Sequence, residues 1–366
     1  MRRFRHAFAL LILLLAVSLL AGCAPAQSGQ LAAQSYKKLP ARPLYALSVV
    51  DACIVVMDAN TQQVTGTLKS PKFKASTDIV LNSQRELVIT HDADADHDYR
   101  EIFFLDPETG ELRESVTVGW APVILAISDS DKLLVGHTLE KSSNGLFDLD
   151  ILDAAKHRLL KTEETDGYVS DVVFDGETAY VGVVAVQPGK ASGILVYDLA
   201  GQKQRAFYPI PQAPGAPPIS PHSLALAGQG SNVLYINLFQ FDEDAPCQEQ
   251  GALARMDLAT GAVTVITGLD DVGPMAMTES GDILVGEICE GREGRVQLID
   301  SKTGESKRQA TLGPGIFDMQ PLGQGRYAIS ILETSSISFW DVTTWQGNTV
   351  KMPCMWTDNI AVAPAE

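Results

Sequence analysis

One pattern recurs along this chain often enough to exclude most folds. An apolar, strand-like run ends in Asp, and a polar turn follows, often with Thr-Gly. The copies are VVMDANTQQ, FFLDPETGE, DILDAAKHR, LVYDLAGQK, ARMDLATGA, QLIDSKTGE and SFWDVTTWQ. Their aspartates are Asp58, Asp106, Asp153, Asp198, Asp257, Asp300 and Asp341, spaced 41 to 59 residues apart. Such a period marks an array of units that must stack on one another to bury their apolar faces. Between the copies lies a second repeat: a short alternating strand, a polar turn and another strand. DIVLNSQRELVIT, ILAISDSDKLLVG, DVVFDGETAYVG, SLALAGQGSNVLYIN and AMTESGDILVG show it. Period-two alternation reads as strand, so each unit predicts four antiparallel strands.

Seven such units predict an all-β fold, a seven-bladed β-propeller, in which radial closure leaves no long open edge. The first unit (LYALSVV, CIVVMDA, QVTGTL) supplies only three strands, and NIAVAPAE at 359–366 matches the innermost strand of the others. The N- and C-terminal strands are therefore expected to share one blade, and residues 44–366 to form one domain. The units resemble YVTN-type, YncE-like propeller repeats. The likeness rests on the small-residue, Gly and Pro openings of VGWAPVILAIS, DDVGPMAMTES and LGPGIFDMQP. It implies the fold and says little about function. IPQAPGAPPISP at 210–221 is a Pro-rich excursion.

The N-terminus reads as targeting. Arg2, Arg3 and Arg5 precede an apolar run, Ala7 to Leu20, too short to span a bilayer. It ends in Leu20-Ala21-Gly22-Cys23, which resembles a bacterial lipobox. That resemblance implies a signal peptide at 1–22 and a lipidated Cys23, and the Ala-, Gln- and Pro-rich residues 23–43 read as a flexible tether. The expected location is the cell envelope, on the extracytoplasmic side. Ala24 after the cysteine favours an outer membrane where the cell has one. The net charge of −17 speaks against nucleic acid, whose phosphates need cationic neutralisation. The expected partners are a membrane, through the anchor, and an envelope protein bound to a monomeric body.

No nucleophile elbow, HExxH zinc motif, P-loop or Cys-x-x-Cys-His haem motif occurs. What remains is loop chemistry. HDADADHDYRE, FDEDAPCQEQ and EICEGREGR are acidic loops expected on one face, the top. Asp92, Asp94, Asp96 and Asp98 alternate as hard-cation ligands could, making Ca²⁺ a possible cofactor, although His97 and the missing terminal Glu depart from the EF-hand pattern. Alignment of second-strand ends places His91, His137, Val183, Asn237, Glu287 and Ile331 together, with the histidines on neighbouring blades. The remaining cysteines predict Cys247–Cys289 between adjacent blades and Cys53–Cys354 across the ring closure.

Aligned inner strands put Asp78, Ile124, Asp171, Ser223, Pro274, Asp318 and Asn359 at equivalent positions near the top of the central channel. Trp120, Tyr168, His222, Phe317 and Trp356 lie just before them. Carboxylates with aromatic walls suit a cationic ligand or a partner's Lys or Arg. The same residue types also serve as local acceptors for backbone amides. The functional expectation is a non-catalytic binding platform on the top face. The rival readings are a lactonase-like or metal-dependent hydrolase at the channel mouth, and an accessory protein of a periplasmic redox or outer-membrane assembly system.

Overall fold

The computed structural model describes residues 39–74, 76–91, 100–138, 146–212, 219–240, 251–269, 273–287 and 294–364. They form seven antiparallel four-stranded sheets arranged as the blades of a propeller. Strands are numbered β1–β28 in chain order. The closing blade runs β28 (Thr357–Val362), β1 (Pro43–Ser48), β2 (Cys53–Asp58), β3 (Gln63–Lys69) from the axis outward. The C-terminal strand thus supplies the inner strand of the first blade, with Leu44 opposite Val362 and Ala46 opposite Ile360.

The strand sequences follow from their radial position. CIVVMD of β2 is buried along nearly its whole length because blades cover both its faces, whereas the outer β3, QVTGTLK, is largely exposed. Each apolar cluster is shared between neighbours. Leu44, Val55 and Met57 of the first blade pack with Ala328, Ile337 and Phe339 of the last. Each of the larger side chains among them contributes about 1.5–3 kcal/mol, so closing the ring adds an inter-blade core.

The repeated aspartates each build the outer hairpin turn of their blade. Oδ1 accepts from the amides two and three residues on: Glu108 and Thr109 at Asp106, Ala259 and Thr260 at Asp257, Lys302 and Thr303 at Asp300, Thr343 and Thr344 at Asp341. Asp58 does the same, while Asp153 and Asp198 each take one amide, from Lys156 and Gly201. Four residues after every one of these aspartates the backbone is left-handed. Gly110, Gly261 and Gly304 fill that position in three turns, and Gln62, His157, Gln202 and Trp345 in the others. Thr-Gly in the repeat is therefore a turn signature.

Two further features lock the ring. The predicted Cys53–Cys354 disulfide is present, with Cα atoms 6.5 Å apart across a sequence separation of 301. At the opposite end Arg42 donates to the carbonyls of Leu322, on the last blade, and Ala363. Cys247 and Cys289 lie outside the described residues, as do the leader, Cys23 and most of the tether.

Candidate functional site at the channel mouth

An innermost strand has an edge that faces the channel and pairs with no other strand, so its amides need acceptors. The aligned aspartates supply them across blade boundaries. Asp78 accepts from its neighbour Ile79 at 2.7 Å and from Leu125 of the next blade at 2.7 Å. Asp171 repeats this with Val172 and Leu224, and Asp318 with Met319 and Ile360. Two more positions join blades through carbonyls: Ser223 donates to Gly273, and Asn359 donates to Thr77. The apolar Ile124 and Pro274 have no side chain able to do so. The sequence-predicted mouth positions are therefore brought together, as a belt of inter-blade clasps.

The belt carries unusual acidity. Burial pushes Asp78 up to about 8, with Asp318 and Asp171 adding repulsion and the backbone amides opposing it. Burial raises Asp171 to about 7, again with repulsion from Asp318, and raises Asp318 to about 6. Asp358 beside Asn359 is raised to about 7 by burial, and its Oδ1 has no hydrogen-bond partner. The three belt aspartates thus feel one another across the axis.

A repeated β-bulge sets the height of the belt. One extra residue opposes the second strand in β8 (Pro122–Ile127), β12 (Gly167–Asp175), β16 (Ile219–Leu226), β24 (Ile316–Gly323) and β28. Bulges bend a strand and re-aim its side chains. Nothing in the composition marks them, and sequence reasoning missed them. Register also corrects one alignment. Leu238 faces Pro221 while Asn237 faces Ser223, so Leu238 is the residue equivalent to His137 and Ile331. A one-residue offset moves a side chain to the other face of the sheet.

The aromatic candidates divide. Trp120 lies beneath the Arg100 guanidinium at 3.3 Å, and Tyr168 packs edge-on to Phe147. His222 meets Phe239 edge-on, and burial lowers it to about 4, which keeps the ring neutral. Phe317 and Trp356 are exposed at 37% and 42%, as are Met355 at 56% and Val50 at 41%. The Met355 amide donates to Asp51, next to Val50 in sequence, and the Trp356 amide donates to Ser335 Oγ on the last blade. Trp356 has φ +51°, at the position filled by Gly315 and Ala121 where other blades open.

The two histidines have different neighbours. His91 stacks on Phe103. His137 is fully buried between the Trp120 carbonyl and Asp150, each at 3.0 Å. Burial alone would raise Asp150, but His137, Thr162 and the Gly119 amide hold its carboxyl below the usual range. Asn237 donates to the Gly273 carbonyl, and Glu287 is bound by Arg295 and Gln297. The loop with Asp92, Asp94, Asp96 and Asp98 lies outside the described residues. Among the described residues no three His, Cys, Asp or Glu side chains are placed to hold a metal ion.

No protein-family model and no curated protein matches the chain. Solved structures do. A candidate 6-phosphogluconolactonase from Bacteroides fragilis is similar with TM-score 0.63 and 11% identity, over 88% of this chain and 98% of that one. Hydrazine synthase of Kuenenia stuttgartiensis gives TM-score 0.59 and 14% identity, over 91% and 99%. Apo AztD from Citrobacter koseri gives 0.54 and 12%, over 89% and 98%. At these identities the likeness is one of architecture: the chain shares the propeller fold with proteins of different described roles.

Proposed function

We propose that this chain is a lipid-anchored envelope protein of the YVTN-type, YncE-like kind, whose propeller mouth serves as a non-catalytic platform for another envelope protein. One observation carries the reading. The three channel aspartates hold both carboxylate oxygens against backbone amides, while Phe317, Trp356, Met355 and Val50 stand exposed at the same end. Buried, doubly bonded carboxylates support a scaffold role, and large apolar side chains exposed at one end support a contact surface.

The hydrolase alternative has its own support in Asp78 and Asp171, whose near-neutral acidity is what a general acid or base needs. Paired variants separate the two. Under the platform reading, Phe317→Ala with Trp356→Ala loses partner association and keeps the melting temperature, while Asp171→Asn with Asp318→Asn lowers the melting temperature. Lactone hydrolysis by the wild type that disappears in the aspartate pair would replace this reading with the hydrolase.

A further inference from the structure

We propose that His137 holds a proton on each ring nitrogen and latches the turn that opens the third blade, so that loss of one proton frees Trp120 at the channel mouth. The turn, residues 119–121, joins β7 (Leu112–Thr117) to β8. It is fastened to the interior twice. The Trp120 carbonyl lies 3.0 Å from His137 Nδ1, and the Gly119 amide donates to Asp150 Oδ2 at 2.7 Å. His137 Nε2 lies 3.0 Å from that same Asp150 oxygen. Both side chains are fully buried.

Counting protons leads to the imidazolium. A carbonyl oxygen only accepts, so Nδ1 must donate to Trp120. Asp150 Oδ2 accepts from Gly119, and Oδ1 accepts from the Thr162 hydroxyl. A neutral ring with its one hydrogen on Nδ1 would turn an Nε2 lone pair towards a carboxylate oxygen at hydrogen-bond distance. The pair therefore holds one proton more than a neutral imidazole beside a carboxylate does. Burial opposes ionisation of Asp150, yet its partners keep the carboxyl below the usual range, which leaves the extra proton on Nε2. A second carboxylate flanks the ring: a Cβ on Gly119 would sit 2.6 Å from Asp148 Oδ2 and 3.1 Å from His137 Cε1. The other charged groups on this side are Arg100, stacked on the Trp120 ring at 3.3 Å, and Glu164, across the ladder from Asp148. His91 and Glu101 of the preceding blade lie on its far face with Phe103.

The fold itself does not ask for these residues. Val183, Leu238 and Ile331 fill the position of His137 in three other blades, and Leu195 and Ala254 fill that of Asp150 in two. A buried ion pair adds little stability over such an apolar pair, so what sets this one apart is the turn it holds. Loss of the proton to water leaves one ring hydrogen for two acceptors, and either Asp150 or the Trp120 carbonyl then faces a lone pair. Thr162 fixes Asp150 on the sheet, whereas the turn ends in Ala121 at φ +51° and belongs to no strand. The turn is the part that yields, and the half-buried Trp120 moves with it. Low pH closes the latch and high pH opens it.

The test uses the full-length protein carrying 15N-histidine and 5-fluorotryptophan, followed by NMR from about pH 5.5 to about pH 9. Neither readout needs a partner protein. The His137 signals are identified by their loss in His137→Val, and the Trp120 fluorine signal by its loss in Trp120→Phe. At the acid end both His137 ring nitrogens should carry a proton. One should be lost as pH rises, and the Trp120 fluorine resonance should shift with the same midpoint. His137→Val with Asp150→Leu installs the apolar pair of the next blade, Val183 and Leu195, and so should fold. In it the Trp120 resonance should no longer respond to pH. A single ring proton on His137 at the acid end, a Trp120 resonance that stays put across the range, or the same shift in the double variant would overturn the proposal.

Discussion

Asp78, Asp171, Asp318 and Asp358 make the molecule's stability depend on pH with an uncommon sign. Their folded acidities lie above the ordinary carboxylate value, so the native state binds more protons than the unfolded chain over the intervening range. Stability is therefore greatest below that window and falls as pH rises through about 6, 7 and 8. His222, lowered by burial to about 4, opposes this only below its unfolded value of about 6.5. Thermal denaturation should give a melting temperature that drops between pH 6.5 and pH 9, with a visibly smaller drop in Asp171→Asn. A flat profile in the wild type would contradict the burial argument. The left-handed turn position gives a second test. Gly261→Ala puts a Cβ 2.2 Å from the Tyr208 ring at φ +73° and should destabilise by about 1–3 kcal/mol. At the equivalent position of another blade, Gln202→Gly should be neutral or gain up to about 1 kcal/mol. Denaturant midpoints of the two variants check both.

At the scale of elements, the Asp-ended repeats were legible because each hairpin needs a side-chain acceptor at the strand end, and only a few residue types supply it. The shared closing blade was legible because one unit lacked a strand that the C-terminus resembled. The belt was legible as a set of positions and in the local half of its chemistry, an aspartate accepting from a nearby amide, but not in the half that reaches the next blade. Leu125, the partner of Asp78, is 47 residues further on, and no local pattern announces it. The bulges and the Asn237–Leu238 offset were hidden because one inserted residue leaves composition and alternation almost unchanged. The Arg42 clasp escaped for the same reason as the belt: its acceptors, Leu322 and Ala363, come from the far end of the chain. Closure by β28 and the Cys53–Cys354 bond yields a further prediction. Cys53→Ser with Cys354→Ser should lose about 2–5 kcal/mol while remaining folded, because the β1–β28 ladder and the inter-blade core persist. Equal denaturation midpoints with and without the bond would show that it contributes nothing to the ring.

Across the whole molecule the two faces differ in kind. The mouth face gathers the carboxylate belt, the closing disulfide and the exposed patch of Val50, Phe317, Met355 and Trp356. The opposite face carries the aspartate-capped turns, where the side chains chiefly serve the backbone. Partner contact is proposed at the mouth. A photo-crosslinking amino acid placed at Trp356 in the native cell envelope tests that assignment most directly, with Val265, 60% exposed on an outer strand, as the control position. A discrete higher-mass adduct should form from position 356, be absent from position 265 and be lost when Phe317→Ala is added. No adduct at 356, or the same adducts from both positions, would contradict it.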